Sequence, residues 1–406
     1  MTSADTRLGG LALFEDRYIQ DPHPLYASMH QTGDVHRIGD SGFYAVSSWG
    51  GAVNEAVARV GDFSSNLTAT MMYEAPHTVT AFPIGELGGE MQALATADEP
   101  VHSIHRKLLL PQLAAKRIRA AEPFIVDTER AVWQTSADDD GIEWMSAMAN
   151  RLPMMIVGRI IGVPDSDIDR IIQWGYAATQ VVEGLVTPVQ MESAGVAVME
   201  LSGYIADQFG RAATEPRDNL LGDLASACAA GDLSDIAALA MMITLFSAGG
   251  ESTASLIGSA AYLLATLPDV QHRLRERPDL LGGAFLEEVL RYEPPFRGHY
   301  RHVVNDTELF GVELGAGSRL LLLWGAANRD RPTSTIPPSS GSIDRRARGT
   351  SPLVRVHTSV SGGRPLLGWR LRSSSAGCWS APRTSTPPKS VGGCRAFWCA
   401  ASRGCS

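Results

Sequence analysis

Six consecutive residues, Ala248-Gly249-Gly250-Glu251-Ser252-Thr253, set two glycines, a carboxylate and two hydroxyls in the middle of an apolar stretch. An acid beside an alcohol can bond to backbone carbonyls and relay protons, and two bare glycines let a flat ligand approach the backbone. Each glycine costs about 1 kcal/mol relative to alanine inside a helix, which implies an offsetting purpose. Taken alone, the hexapeptide reads equally well as a kink with a capped polar pair. A second pattern is basic. In Asp98-Glu99-Pro100-Val101-His102-Ser103-Ile104-His105-Arg106-Lys107, His102 and Arg106 are four apart and share one helix face, where two donors could hold a pair of carboxylates. A solvated basic face is the plainer reading. A third pattern, Glu288 with Arg291, fits an i,i+3 ion pair, worth only a few tenths of a kcal/mol if exposed.

The hexapeptide sits inside Ser234–Pro268, which carries only Asp235 and Glu251 as charges and reads as one long buried helix, roughly 50 Å in length. Ser234 suits its N-cap, Asp235 the positive end of its dipole, and Pro268 its stop. Glu251 interrupts the apolar run and argues against a membrane span. Before it, residues 122–136, 143–161, 165–183, 187–213 and 217–230 read as helices, with Gly162-Val163-Pro164-Asp165 closing one and opening the next. Near the N-terminus Asp21-Pro22-His23-Pro24 opens a short helix. Residues 34–38 and 43–47 form a hairpin across Gly39-Asp40-Ser41-Gly42. Residues 67–94 read as loop-rich, with Met71, Met72, Tyr73, Phe82 and Met91 as candidate pocket lining. After the long helix come a helix over 278–292, ended by Tyr292-Glu293-Pro294-Pro295, and short strands over 300–304, 307–310 and 318–323.

The chain has 406 residues, 44% of them hydrophobic, and a net charge of −9, enough for one large globular domain or two ordinary ones. MTSADTRLGG has no basic start or apolar core, so a cytoplasmic protein is expected. Cys228 is the sole cysteine before Cys378, which implies no disulfide framework and no paired-cysteine zinc site in the body. No flavin or nicotinamide fingerprint is present, and the acidity of the first 332 residues, net −19, does not suggest nucleic acid.

Five motifs in order resemble a bacterial cytochrome P-450, a heme-thiolate monooxygenase: DEPVHSIHR at Asp98 to Arg106, AGGEST at Ala248 to Thr253, EVLR at Glu288 to Arg291, HYRHVV at His299 to Val304 and AANRD at Ala326 to Asp330. The resemblance spans about 330 residues and implies a mainly α, triangular fold with small β-sheets, holding heme b between the long helix and a cysteine-bearing loop. It implies that His102, Arg106 and Arg301 bind the heme propionates and that Ala248 and Gly249 bring the distal helix close to the porphyrin and oxygen. Glu251 and Ser252 would deliver protons for O–O cleavage, with serine where the family usually has threonine. Glu288 and Arg291 would brace the proximal side. The implied activity is hydroxylation or epoxidation of a small apolar substrate with O2, in a monomer fed with electrons by ferredoxin and ferredoxin reductase, without a membrane. The alternative it leaves is a heme-free homologue acting as partner of a biosynthetic enzyme, since some such members activate glycosyltransferases. A third outcome is a damaged product that folds poorly.

The resemblance stops at about Pro332. Residues 333–406 hold eleven Lys or Arg against one acid, Asp344, and four of the five cysteines, with no sustained helical or strand period. The family's Phe-x-x-Gly-x-x-x-Cys-x-Gly loop, whose thiolate would ligate the iron, has no match: Thr350 to Arg370 contains no cysteine. Cys378 lacks its surroundings and reads as an exposed thiol. The division expected is a P-450-like domain over 1–332 and an aberrant, basic and disordered tail over 333–406, translated out of frame from near Arg331 to Thr333. A natural basic extension is the plainer alternative.

Overall fold

A computed structural model describes residues 7–8, 12–74, 78–84, 92–138, 141–184, 186–215 and 217–330. The tail and its cysteines therefore lie outside the described residues, as does Met91. The helices are α1 (Asp16–Gln20), α2 (His23–Thr32), α3 (Asn54–Ala58), α4 (Val101–Leu109), α5 (Ala115–Ala120), α6 (Glu122–Ser136), α7 (Arg151–Ile161), α8 (Ile168–Glu183), α9 (Pro188–Thr214), α10 (Leu220–Ala230), α11 (Asp235–Phe246), α12 (Ser252–Thr266), α13 (Pro268–Glu276), α14 (Leu286–Tyr292) and α15 (Trp324–Ala327). The strands are β1 (Arg7–Leu8), β2 (Val35–Ile38), β3 (Phe43–Val46), β4 (Phe63–Ser64), β5 (Ala69–Glu74), β6 (Thr78–Pro83), β7 (His299–Val303), β8 (Thr307–Leu309), β9 (Val312–Leu314) and β10 (Arg319–Leu322). The chain is mainly α, as expected.

One sheet runs in the order β1-β2-β3-β10-β7-β4, and β5-β6 and β8-β9 are separate hairpins. β10 lies parallel to β3 and antiparallel to β7, with Arg319 opposite both Phe43 and His302, and Leu320 opposite Arg301. Because strand neighbours alternate faces, Arg301 and His302 stand on opposite sides of the sheet. One side packs under β5 through Phe43, Ala45, Tyr300, Leu321, Ala69 and Met71. The other encloses Val46, Val303, Leu320, Leu322 and the fully buried Trp324.

One expectation is refined and two need correction. The long helix runs unbroken from Asp235 to Thr266, but α11 and α12 meet within it at a π-helical turn, Ser247–Glu251, at the hexapeptide. Pro268 ends α12 but also begins α13, because proline fits the first helical turn, where no backbone N–H is needed. The described residues of 67–94 are mainly strand: ATMMYE and TVTAFP, rich in β-branched and aromatic residues, pair antiparallel with Met71 opposite Ala81 and Met72 opposite Thr80. The Ser234 cap holds, its Oγ accepting from Ala237 N at 3.1 Å, and Gly162 ends α7 at φ 104°.

The α11–α12 pair is the one described helix long and apolar enough to cross a membrane by length and composition. Here it forms the core. Ala238, Met241, Met242 and Phe246 join a cluster with α7, α8 and α10, and Leu256, Ile257 and Ala260 join another with α13 and α14.

Candidate functional site

The π turn is where the long helix departs from regular geometry, and its polar residues answer for the carbonyls that the turn disturbs. Ser252 Oγ donates to Ala248 O, and Thr253 Oγ1 donates to Gly249 O at 3.0 Å. Ser252 is buried, at 8% exposure, whereas Ala248 and Glu251 are half-buried. The glycines have a packing reason that the sequence does not announce. A Cβ on Gly250 would stand 2.2 Å from Met154 Cε, and one on Gly249 would stand 3.0 Å from Val157 Cγ2. The missing side chains thus let α7 close on the turn, and the side chain of Ala248 is the only one beyond Ser247 before the acid.

α8 reaches the same turn. A Cβ on Gly175 would lie 3.8 Å from Phe246 O, and the neighbouring Tyr176 donates to Asn150 Oδ1 at 2.7 Å. Burial, and then the charge of Glu251, push the Tyr176 hydroxyl well above its ordinary pKa. Tyr176 and Asn150 are therefore polar neighbours of the acid that sequence reasoning missed. The only signal was a glycine inside a strongly patterned helix.

The three cations come from two elements. His102 and Arg106 lie one turn apart on α4; His102 Nδ1 meets Glu99 Oε1 at 3.1 Å, and Arg106 makes no side-chain hydrogen bond or ion pair among the described residues. Arg301 comes from β7, and its Nη1 donates to Tyr300 O at 2.9 Å. Burial pulls its pKa below the ordinary value, and Asp98 opposes this from nearby. Asp98 precedes α4, accepts from His102 N through its own backbone carbonyl at 2.9 Å, and ties β4 down through Ser64 Oγ and Ser65 N. Arg301 and the start of α4 are thereby drawn into one neighbourhood. Leu109 of α4 shares a core cluster with Met241 and Phe246, which sets that neighbourhood beside α11.

Glu288 and Arg291 pair through two hydrogen bonds, of 3.0 and 2.7 Å, at 17% and 18% side-chain exposure. Arg291 Nη1 also donates to Asn328 O at 3.0 Å, and Arg329 Nη2 to Tyr292 O at 2.8 Å. Two of the sequence motifs are thus stitched to each other, 37 residues apart in the chain. This is a brace, remote from proton chemistry.

The donor set fits a heme on two of its three sides. A desolvated guanidinium held by one neutral carbonyl, with a second arginine unpaired nearby, suits a pair of carboxylates. The small-residue turn with an inward alcohol suits a flat ring. The axial ligand is not among the described residues. Cys228, the one described free cysteine, lies on α10, where burial and Asp235 push its thiol up to about 11, so it is protonated at neutral pH.

No family model matches the chain. It is 60% identical over 327 residues to cytochrome P450 144 of Mycobacterium tuberculosis, covering 80% of this chain and 75% of that one. It is 29% identical over 326 residues to the vitamin D(3) 25-hydroxylase of Pseudonocardia autotrophica, covering 78% and 76%. It is 33% identical over 242 residues to the mycinamicin IV hydroxylase/epoxidase of Micromonospora griseorubida, covering 59% of each. Among solved structures, CYP109E1 of Bacillus megaterium in complex with testosterone superposes with a TM-score of 0.75 at 24% identity, covering 91% of this chain and 94% of that one.

Proposed function

This chain belongs to the cytochrome P450 family of heme-dependent monooxygenases, and from that premise we propose that it hydroxylates or epoxidises a small apolar substrate, taking electrons from a ferredoxin and its reductase. The observation that carries the reading is the pairing of a polar π turn with an under-satisfied cation cluster, at the positions where the resemblance expects them. His102, Arg106 and Arg301 would hold the heme carboxylates by charge-assisted hydrogen bonds. Heme, when bound, supplies the iron at which dioxygen is activated. Ala248 and Gly249 give the turn a low profile toward the ring. Ser252 Oγ–H rests on Ala248 O and can turn its proton off that carbonyl to donate it, and a proton that the Glu251 carboxylate takes up from water would replace it. The names of two relatives, a vitamin D(3) 25-hydroxylase and a mycinamicin IV hydroxylase/epoxidase, support C–H hydroxylation or epoxidation as the reaction class.

The reading extends to a cytoplasmic monomer whose P450 body ends near residue 332, followed by a segment translated out of frame. Reading the coding DNA in its other frames tests that extension: a Phe-x-x-Gly-x-x-x-Cys-x-Gly loop downstream supports it, and its absence from both frames ends it.

A second reading, a heme-free partner of a biosynthetic enzyme, is favoured by the lack of a cysteine over Thr350 to Arg370, where the resemblance expects the iron's thiolate. Pyridine-hemochrome analysis of the full chain, with the carbon-monoxide difference spectrum, separates the two. Stoichiometric heme supports the oxygenase; a folded chain with a cooperative melt and no heme supports the partner.

A further inference from the structure

The face of the sheet opposite Arg301 carries another cation without a counter-charge. Arg319 on β10 is half-buried and loses basicity to burial alone. Its Nε donates to Thr68 Oγ1 at 3.2 Å, and its Cζ lies 5.6 Å from the centre of the Phe43 ring. Its two terminal nitrogens make no hydrogen bond or ion pair among the described residues. His302, its cross-strand partner, places Nδ1 3.4 Å from the same Thr68 hydroxyl. Burial first, and then Arg319, depress the His302 pKa, while Asp98 opposes them. Asp98, the carboxylate that acts on His302, is already committed to Ser64 and Ser65.

A half-buried guanidinium with only a hydroxyl and a ring face for company is poorly compensated, since buried charges are otherwise paired. Arg301 projects from the other side of the sheet, which sets this site apart from the cations of the proposed heme site. We propose that Arg319, Thr68 and His302 form a receptor for one carboxylate carried by an apolar molecule. Arg319 offers its two terminal nitrogens as a planar fork, and the Thr68 hydroxyl, accepting from Arg319 Nε, points its own proton at the same anion. With His302 neutral the site has a single formal positive charge, which matches a carboxylate better than a phosphate dianion. The Phe43 ring lies beside the guanidinium, Leu67 adjoins Thr68 in the chain, and a cavity lined mainly by apolar residues, Leu25, Tyr26, Leu321 and Leu323, together with Arg297, lies farther along the same face of β10. The proposal needs neither heme nor the oxygenase reading.

Isothermal titration calorimetry of the full chain at pH 8 with sodium octanoate, octanamide and inorganic phosphate tests it. Octanoate is expected to bind at least tenfold more tightly than octanamide, with phosphate failing to compete. Arg319→Leu should abolish that preference, and Arg319→Lys, which keeps the charge but not the fork, should leave a smaller one. Equal affinity for octanoate and octanamide in the wild-type chain overturns the proposal without any variant. So does a full preference surviving in Arg319→Leu or Arg319→Lys with an unchanged melt, or phosphate competing as strongly as octanoate.

Discussion

Arg291 and Arg301 stand ten positions apart in one chain and are treated in opposite ways. Arg291 has a bidentate carboxylate and a backbone carbonyl, all supplied by the protein. Arg301 has one carbonyl from the preceding residue, a pKa lowered by burial, and a carboxylate nearby that is bonded elsewhere. A charge whose partners are all internal belongs to the fold. A desolvated charge whose partners are missing belongs to something that arrives later. The same contrast separates Ser252 and Thr253, whose hydroxyls are bonded back onto carbonyls of the π turn, from Arg106, which keeps its guanidinium unpaired among the described residues.

The largest expected effect comes from breaking the satisfied side. Glu288→Ala strands Arg291 mostly buried and should lower unfolding free energy by about 3 kcal/mol, read by urea denaturation; a loss below about 1 kcal/mol would mean that the pair is not a brace. Gly250→Val drives a branched side chain into Met154 and should cost about 2 kcal/mol, the scale of overpacking in a closed interface. A neutral effect would show that α7 does not close on the turn.

Glu129 is a buried acid of the unsatisfied kind, at 4% exposure on α6, with Oε1 unpartnered and its pKa raised by burial. A carboxyl whose pKa rises on folding favours the folded state fully below the unfolded value of about 4.3 and loses that advantage as pH climbs through the raised value. The wild-type melt should therefore drop relative to Glu129→Gln between pH 4 and pH 8, with the variant higher by about 2 °C at pH 8. Parallel melts across that range would remove Glu129 from the account. The smallest expected effect sharpens the contrast directly: Arg301→Leu in the heme-free chain should raise unfolding free energy by about 0.5 kcal/mol, because it removes a desolvated charge held by one neutral carbonyl, and a loss of stability would show that Arg301 belongs to the fold.

Much of this was legible in the residues, for identifiable reasons. Helix α6 follows its apolar period across 122–136 and ends as the sequence suggests, and Ser234 and Gly162 cap where their chemistry predicts. The i,i+3 spacing disclosed the Glu288–Arg291 pair, but not its burial or the Asn328 carbonyl, which depend on contacts 37 residues away. The two glycines marked the hexapeptide as a place where a kink was as good a reading as a ligand approach, but its π form and the packing of α7 at Met154 and Val157 are tertiary facts. The β5–β6 hairpin was missed because three buried residues in a row, Ala69, Thr70 and Met71, erase the alternation that marks a strand. Arg301 stood out by motif, whereas Asp98 as its electrostatic neighbour emerged only once β4 and β7 were paired.

The most direct test is a hemin titration of the purified full chain, followed by absorbance, beside the Arg106→Leu/Arg301→Leu double variant with matched thermal melts. If these cations await the carboxylates of a heme, the wild-type chain takes up hemin at least tenfold more tightly than the double variant while both melt alike. Equal uptake by the two proteins, or none by a wild-type chain that is folded, would contradict it.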